Sequence, residues 1–242
     1  QRGWAIALAA RRVDKLEAAA RELRERWGGE AHVFAADLGA SDGPKRLVED
    51  VERAGLQIDV LVNNAGFGWR GRFIESDVDR MLEMVRVNVA AVTELTWRVL
   101  PGMVERARSG GRGARASSGD GARSEATPLL PPSWSGILNV ASTAAFVPGP
   151  YMAVYYASKA YVESFSVAIR EELRGTGVRC TCLCPGPVPT EFSGVAGSDN
   201  TRLFKRATKV DAASVARAGV DGFERDRAIV IPGAANRFVT MG

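Results

Sequence analysis

The sequence predicts an α/β fold in which helices cover both faces of a parallel β-sheet. Short apolar runs with little charge alternate along the chain with amphipathic stretches, which is the pattern of strands that are each followed by a helix. The chain has 242 residues, of which 46% are hydrophobic, enough for a substantial core. Right-handed crossovers between the parallel strands make such a sheet doubly wound. Ligands then bind beyond the carboxyl ends of the strands.

Three strands and three helices are predicted in the first part of the chain. The segment IDVLV is apolar and β-branched, as strands buried on both faces are. The segment VDKLEAAARELRERW repeats its apolar residues at the spacing of one helix face. We therefore predict strands at 4–9, 31–37 and 58–62, and helices at 13–27, near 41–54 and from about Ser76 to Leu100.

The second part of the chain repeats the alternation. The segments GILNVAS and VRCTCLC are typical of buried strands, and the long amphipathic stretch between them ends before Gly175, a residue type common after helices. We predict strands at 136–142, 178–184 and 228–232, and helices at 151–174 and near 211–223.

Residues 106–133 interrupt this pattern. Gly, Ser, Arg and Pro dominate the segment and no periodicity is present, which favours a flexible stretch. Because the segment joins a helix to the next strand, we expect a surface insertion at the amino-terminal edge of the sheet, opposite the ligand-binding edge. A docking role for this basic loop is the alternative. We predict a single domain over 1–242 that contains this insertion.

Charge and hydropathy narrow the class of function. The net charge is +4, and residues 106–135 contribute +3 of it through five arginines and two acids. Positive charge is therefore local, and we expect no nucleic-acid partner. No apolar run reaches the roughly 18 residues of a membrane helix, and the first residues are too polar for a signal peptide. We expect no membrane span and a cytoplasmic location.

Three cysteines alternate along one predicted strand, at Cys180, Cys182 and Cys184, so their side chains point to one face of the sheet. Zinc would require a fourth ligand at suitable spacing, and the sequence offers none. We interpret the cysteines as small core residues in a reducing compartment and predict no metal site.

A glycine-rich loop follows the strand at 58–62. Gly66, Gly68 and Gly71 form a GxGxxG pattern, but a dinucleotide fingerprint should open a helix, and RFIE follows instead. We interpret the pattern as a glycine-rich turn. The tetrapeptide NNAG at 63–66 is more informative, because Asn and Gly tolerate unusual backbone angles and let a ligand approach closely.

Two arginines, Arg11 and Arg12, stand where the first strand leaves the sheet. In a dinucleotide site, arginine at this point suits the 2′-phosphate of NADP, whereas an acid would bind a free ribose hydroxyl. The alternative is a pair of solvated arginines at a helix start.

The segment YMAVYYASK at 151–159 contains a candidate acid–base pair. Tyr155 lies four residues before Lys159 and therefore on the same helix face, and Tyr156 at three residues also meets the condition of spacing. A nearby ammonium favours the phenolate and lowers the pKa of the phenol. The hydroxyl of Ser142, at the end of the preceding strand, could polarise a carbonyl beside it.

These residues together resemble the classical short-chain dehydrogenases/reductases, whose fold is Rossmann-like. The matching pieces occur in the family's order: NNAG at 63–66, Asn88 in VNVAAV, Ser142 in ILNVAS, Tyr155 with Lys159, and PGPVPT at 185–190. The segments ILNVASTAAF and YYASK are most similar to the bacterial DltE-like branch of the family. The resemblance selects Tyr155 over Tyr156, because the interval from Ser142 matches the family's.

The resemblance implies roles for the matching residues. Tyr155 would be the general acid, Lys159 would lower its pKa and hold the nicotinamide ribose, and Ser142 would orient and polarise the carbonyl. Asn88 would support a water-mediated proton relay through Lys159. The other cofactor-binding residues would be Arg11 and Arg12, which favour NADP over NAD, Asp37 and Leu38 at the adenine, Asn64, Ala65 and Gly66 on the adenosine side, and Pro185, Gly186, Val188 and Thr190 around the nicotinamide.

The implied protein is an NADP(H)-dependent oxidoreductase that reduces a carbonyl, or oxidises an alcohol, of a small to medium, fairly apolar substrate. Dimers or tetramers are common in the family, so a homo-oligomer is expected. The family begins with a strand and a TGxxxGxG turn, and Gln1-Arg2-Gly3 is similar to the end of the first helix instead. We therefore expect the first strand and the glycine-rich turn to be missing from this sequence. A catalytically silent dinucleotide-binding or structural remnant is the alternative function.

Overall fold

Six strands alternate with six α-helices in a computed structural model, which describes residues 4–113, 135–188, 210–233 and 236. The strands are β1 (Ile6–Ala10), β2 (Ala31–Ala35), β3 (Val60–Asn63), β4 (Ser135–Val140), β5 (Val178–Leu183) and β6 (Ile229–Val230). The helices are α1 (Val13–Trp27), α2 (Gly43–Arg53), α3 (Val78–Val85), α4 (Ala91–Gly113), α5 (Ala153–Glu172) and α6 (Ala212–Glu224). Each predicted strand is present within a few residues of its expected position.

All strand pairs are parallel, which confirms the predicted Rossmann-like α/β fold. The strands form two groups: β1 pairs with β2, and β3, β4, β5 and β6 pair in that order. Neighbouring strands in the larger sheet are aligned so that Asn63 of β3 lies beside Asn139 of β4, and Asn139 lies beside Cys182 of β5. The carboxyl ends of β3, β4 and β5 therefore meet at one edge.

Helix packing joins the two groups of strands. Helix α2, which follows β2, places Val48 against Leu95, Val99 and Met103 of α4. The same cluster includes Ile137 of β4, so α4 lies between α2 and the larger sheet. Burial of these aliphatic side chains contributes about 1.5–3 kcal/mol each, and it holds the ligand-binding edges of both groups in one body.

The predicted helix from Ser76 to Leu100 is divided into two helices. Helix α3 begins at Val78, where the carboxylate of Asp77 accepts hydrogen bonds from the backbone of Asp79 and Arg80 and caps the helix. A π-helical turn at Arg86–Ala90 then separates α3 from α4. The apolar periodicity continues across this turn, which is why the sequence pattern alone predicts one uninterrupted helix.

The first part of the segment predicted to be irregular from residue 106 is helical, because α4 runs to Gly113. The guanidinium of Arg106 donates to the carbonyl of Ile58 at 2.6 Å and lies 3.5 Å from the carboxylate of Asp59. These contacts join α4 to the chain just before β3. Residues 114–133 lie outside the described part of the chain.

Cys180 and Cys182 of β5, and Cys184 directly after it, are buried free thiols, as predicted. Cys180 packs in the cluster beside α4, whereas Cys182 and Cys184 pack beside α5 with their sulfurs 3.6 Å apart. The described ranges contain no group of three or more His, Cys, Asp or Glu side chains placed to hold a metal ion. Among these residues, no helix combines the length and the apolar character needed to cross a bilayer.

Candidate active site

The end of β4 and the start of α5 bring Ser142 and Tyr155 together. Ser142 follows β4 and caps a short 3₁₀ turn by accepting a hydrogen bond from the backbone of Ala144 at 3.1 Å. Its hydroxyl is hydrogen-bonded to the phenol of Tyr155 and also donates to the carbonyl of Pro185 at 3.4 Å. A hydroxyl and a phenol are thus paired at the carboxyl edge of the sheet.

Tyr155 is buried, and its burial governs its acidity. Removal from solvent raises the pKa of Tyr155 to about 12, while the hydrogen bond with Ser142 acts in the opposite direction and the neighbouring Tyr156 raises it further. The predicted lowering of this pKa by Lys159 is therefore not what the structure shows. The physical reason is that the ammonium of Lys159 donates to the carbonyl of Val140 at 2.8 Å, and desolvation outweighs the other influences on the phenol.

Lys159 lies one helical turn after Tyr155 and is buried beneath the same edge. Burial lowers the pKa of Lys159 to about 8, and the nearby Cys182 and Cys184 act in the opposite direction. The pKa of this amine therefore lies near neutral pH, because the amine is removed from solvent. Perturbed pairs of this kind are typical of catalytic sites.

Asn88 lies in the π-helical turn and ties the glycine-rich loop to α5. Its amide oxygen accepts from the backbone of Phe67 at 3.1 Å, and its amide nitrogen donates to the Phe67 carbonyl at 3.0 Å. The same nitrogen donates to Ser158 at 3.0 Å, and the Ser158 hydroxyl donates to the carbonyl of Tyr155 at 2.7 Å. Asn88 therefore fixes the loop relative to the helix that carries the candidate acid. Its expected part in a proton relay stays a prediction.

Gly66 occupies a narrow space between two of these side chains. A β-carbon at this position would lie 2.9 Å from the amide oxygen of Asn88 and 3.5 Å from the ammonium of Lys159. The backbone can approach these groups only because glycine has no side chain. No helix begins at the glycines of the GxGxxG pattern, where a 3₁₀ turn at Phe73–Glu75 follows instead, as the interpretation of a glycine-rich turn requires.

The residues predicted for the adenosine side lie after β1, β2 and β3. Asn64 and Ala65 are exposed in the loop after β3. The carboxylate of Asp37 accepts from the backbone of Gly39 at 2.9 Å, and Leu38 packs against the core. The ends after β1 and β2 are the carboxyl ends of their own parallel pair, and the Ser142–Tyr155 pair lies at the carboxyl ends of the parallel strands of the larger sheet.

Arg11 and Arg12, predicted for the 2′-phosphate, are both exposed where β1 ends. The Arg11 guanidinium lies 3.2 Å from the carboxylate of Glu83, a residue of α3. No motif or spacing in the sequence pointed to Glu83.

The residues predicted around the nicotinamide follow β5. The Pro185 carbonyl accepts from the backbone of Thr143 at 2.9 Å, which joins this loop to the Ser142 turn. Gly186 lies against the amide of Asn236, and Val188 packs on the core beside α6. Thr190 lies outside the described residues.

The other three tyrosines, Tyr151, Tyr156 and Tyr161, take packing and lining positions. Tyr151 has a left-handed backbone with φ of 67° and lines a cleft of about 40 Å³. Tyr156 is half-buried, edge-on to Tyr155 with ring centroids 5.9 Å apart. Tyr161 stacks on Phe165, and its hydroxyl lies 2.7 Å from that of Thr93.

A buried polar network beneath the site was not predicted. The amide of Asn63 donates to Asn139 at 2.9 Å and to Thr96 at 3.2 Å, and Asn139 in turn donates to Ser166 at 2.9 Å. The four residues belong to β3, β4, α4 and α5, so the network joins both strands to both helices. The polar Asn139 in the apolar run GILNVAS is the signal that could have indicated it.

Comparison with known proteins gives consistent matches. The family model described as short chain dehydrogenase matches residues 1–128 and 122–201. A sulfoacetaldehyde reductase from Chromohalobacter salexigens is 32% identical over 219 residues, which cover 88% of this chain and 76% of that protein. A very-long-chain 3-oxoacyl-CoA reductase from Anas platyrhynchos is 32% identical over 201 residues, which cover 81% of this chain and 55% of that protein. The chain spans about half the length of the reductases of this second kind.

Solved structures share the same fold. A short-chain dehydrogenase from Sphingobium yanoikuyae in complex with NADPH superposes with a TM-score of 0.77 and 26% identity, covering 99% of this chain and 83% of that chain. A gluconate 5-dehydrogenase from Burkholderia cenocepacia in complex with NADP and tartrate gives a TM-score of 0.75 at 19% identity, covering 97% of this chain and 86% of that chain. The second likeness concerns the fold alone.

Proposed function

The chain belongs to the short-chain dehydrogenase family of oxidoreductases, and from that membership we propose that it interconverts a carbonyl and an alcohol with NADP(H). The observation that carries the proposal is the hydrogen-bonded pair of Ser142 and Tyr155, with Lys159 one turn away on the same helix. The proposal combines the chemistry of these side chains with the family's reaction.

The residues present fit a phosphorylated dinucleotide. The guanidinium of Arg11 suits a phosphate, and the ammonium of Lys159 suits ribose hydroxyls. Glycine at position 66 lets the loop backbone pack closely against Asn88 and Lys159. When bound, NADPH would supply the hydride to the carbonyl carbon.

In the reducing direction, Tyr155 gives its phenolic proton to the substrate oxygen and Ser142 holds that oxygen by a hydrogen bond. With its pKa raised to about 12, the phenol of Tyr155 is protonated at neutral pH and therefore has a proton to give. Asn88 maintains the distance between the loop and α5, and Lys159 lies one turn from the phenol on the same helix. In the oxidising direction, the same phenolate would have to be formed first, so oxidation should be favoured at higher pH.

The substrate is proposed to be a small to medium carbonyl compound with apolar character. A small cleft at the start of α5 is lined mainly by apolar side chains, among them Trp69, Met81, Tyr151 and Met152. The relatives named above are reductases of sulfoacetaldehyde and of 3-oxoacyl-CoA, both of which contain a carbonyl group. A cytoplasmic location, a single domain over 1–242 and membership of the DltE-like branch are further parts of the proposal.

Titration with NADPH tests the function directly. We expect nicotinamide fluorescence to change on binding, and aldehydes or ketones from a panel to be reduced with loss of absorbance of NADPH. If neither NADPH nor NADH binds, the oxidoreductase proposal fails for this chain.

The choice between cofactors should depend on Arg11. We expect Arg11→Asp to weaken NADPH binding about 10- to 100-fold, because charge-assisted hydrogen bonds to the 2′-phosphate are lost, and to leave NADH binding nearly unchanged. The dissociation constants are measured by fluorescence, with Arg21→Asp on the exposed side of α1 as the control for charge. An equal loss for both cofactors would contradict the assignment of the 2′-phosphate to Arg11.

A second candidate function is a dinucleotide-fold protein that does not turn over substrate. The observation that favours it is that the strands form two separate sheets, in which β1 and β3 are edge strands. Apolar side chains on these two strands, Ile6 and Val62, are exposed. Binding of NADPH without reduction of any compound in the panel would favour this candidate.

We also propose that the chain forms a homo-oligomer through α4 and α5. An apolar groove of about 830 Å³ lies between these helices and includes Leu100, Val104, Phe165 and Ile169. Trp97 stands at this groove and is 70% exposed, which is unusual for so large an apolar side chain.

We expect Trp97→Glu to dissociate the oligomer, because a carboxylate would have to be buried without a partner. Sedimentation velocity measures the change in mass. Trp27→Glu, at another exposed tryptophan on α1, is the matched control and should leave the mass unchanged. A wild-type chain that sediments as a monomer would contradict the proposed homo-oligomer.

A further inference from the structure

We propose that Glu83 is a specificity-determining residue whose carboxylate competes with the 2′-phosphate of NADP(H) for the guanidinium of Arg11. The inference rests on the proposed function, since it assumes that Arg11 lies at the cofactor's phosphate. It adds a residue on a different element, α3, that opposes the binding of the phosphorylated cofactor.

The position of Glu83 places its carboxylate at the adenosine side of the site. Its side-chain stem lies 3.7 Å from where a β-carbon on Gly39 would stand, directly after the Asp37–Leu38 turn. Its carboxylate reaches the end of β1, where one oxygen lies 3.2 Å from Arg11. Glu83 therefore bridges the loops after β1 and β2, both of which were predicted to contact the adenosine half of the cofactor.

The exposure of the pair makes exchange of partners feasible. The Arg11 side chain is 58% exposed, so a ligand can reach its guanidinium from solvent, whereas that of Glu83 is 23% exposed. Exposed ion pairs contribute about 0.2–1 kcal/mol, so the pair is weak enough to be broken by a phosphate. Hydrogen bonds between a guanidinium and a phosphate are stronger, because both partners are charged and the geometry can be bidentate.

Arg80 allows Glu83 to release Arg11 without being left unpaired. The second carboxylate oxygen of Glu83 lies 2.6 Å from the guanidinium of Arg80. Breaking the contact with Arg11 therefore leaves the half-buried carboxylate with one cationic partner. The carboxylate remains near the phosphate after the exchange, and the repulsion between the two negative groups continues to weaken binding of NADP(H).

Arg80 also connects Glu83 to the loop that Asn88 holds. The Arg80 guanidinium lies over the Phe67 ring, 4.3 Å from its centroid. The backbone of Phe67 is held on both its N–H and its carbonyl by Asn88. The ion pair of Glu83 with Arg80 thus supports the loop, so a variant must remove the charge of Glu83 while disturbing this packing as little as possible.

The test compares NADPH and NADH binding to the wild type, Glu83→Gln and the control Glu22→Gln. Glu22 is an exposed carboxylate paired with Arg26 on α1, so its replacement removes the same charge far from the site. We expect Glu83→Gln to bind NADPH about two- to fivefold more tightly, a range that corresponds to an exposed ion pair, and NADH with unchanged affinity. Glu22→Gln should change neither affinity. Dissociation constants are measured by fluorescence at low salt, where exposed charges are least screened.

Three results would overturn the inference. Weaker NADPH binding to Glu83→Gln would mean that the carboxylate orients Arg11 for the phosphate instead of competing with it. An equal change for both cofactors would mean that Glu83 acts only through Arg80 and the loop. Absence of binding of either cofactor to every protein would overturn the proposed function, and the inference with it.

A second variant protects the test against loss of folding. If Glu83→Gln lowers the melting temperature strongly, Glu83→Asp keeps the charge but shortens the side chain by one methylene and withdraws it from Arg11. Tighter binding of NADPH alone is again the expected result, and unchanged binding of both cofactors would contradict the competition.

Discussion

Replacement of Tyr155 with phenylalanine is expected to lower kcat about 10²- to 10⁴-fold, because the substrate oxygen loses its proton donor. The ring remains, so the packing of Tyr155 against Phe67, Met84 and Ala144 should persist. The affinity for NADPH should remain within about twofold of the wild-type value, since only one hydroxyl is removed. Steady-state kinetics with the best carbonyl substrate and a fluorescence titration give the two quantities.

Tyr156→Phe is the matched control for this prediction. Tyr156 satisfies the same helical spacing to Lys159 within one residue, but it is half-buried and its ring faces Gly149. We expect its removal to change kcat by less than about threefold, as for a packing residue whose hydroxyl has no part in proton transfer. If Tyr156→Phe is inactive and Tyr155→Phe is active, the roles of the two tyrosines are exchanged. If both variants are active, neither phenol is the proton donor.

The order of the elements could be predicted because it depends on local pattern. Apolar runs and amphipathic stretches each occupy a contiguous part of the sequence, so β4, α5 and β5 were expected within a few residues of their positions. Spacing also placed Tyr155 and Lys159 on one helix face. Spacing could not choose between Tyr155 and Tyr156, because that choice depends on which side chain turns toward Ser142.

Other parts of the site depend on contacts between residues far apart in the sequence. The π-helical turn around Asn88 exists where the loop backbone at Phe67 offers both a donor and an acceptor. The pairing of Glu83 with Arg11 joins residues on different elements, and no local pattern indicates it. The direction of the shift in the Tyr155 pKa was predicted wrongly for a similar reason. The spacing to Lys159 can be read from the sequence, but the burial that raises this pKa depends on the folded chain.

The buried network around Asn139 joins the fold to the site. Asn139 is completely buried, and it both accepts from Asn63 and donates to Ser166. These bonds fix the carboxyl ends of β3 and β4 to α5, the helix that carries Tyr155 and Lys159. Polar groups buried in this way are costly when they lose a partner, because water cannot reach them.

Asn139→Leu is expected to lower the free energy of unfolding by about 2–4 kcal/mol, because two hydrogen bonds are lost and the remaining partners stay buried. Chemical denaturation measures the loss. Gln57→Leu is the control, since Gln57 donates to Asp59 from an exposed amide and its replacement removes the same kind of hydrogen bond in contact with water. The control should change stability by less than about 0.5 kcal/mol, as surface substitutions usually do.

Combining Asn139→Leu with Asn63→Leu shows whether the two amides stabilise the fold through the hydrogen bond between them or through the packing of each side chain. If the two amides stabilise the fold through their mutual bond, the double variant should lose less stability than the sum of the single variants, by about 0.5–3 kcal/mol. Additive losses would instead mean that each amide is required for packing alone. In that case the network would not be the link that holds β3 and β4 to the helix of the candidate acid, and kcat of the folded single variants should equal that of the wild type.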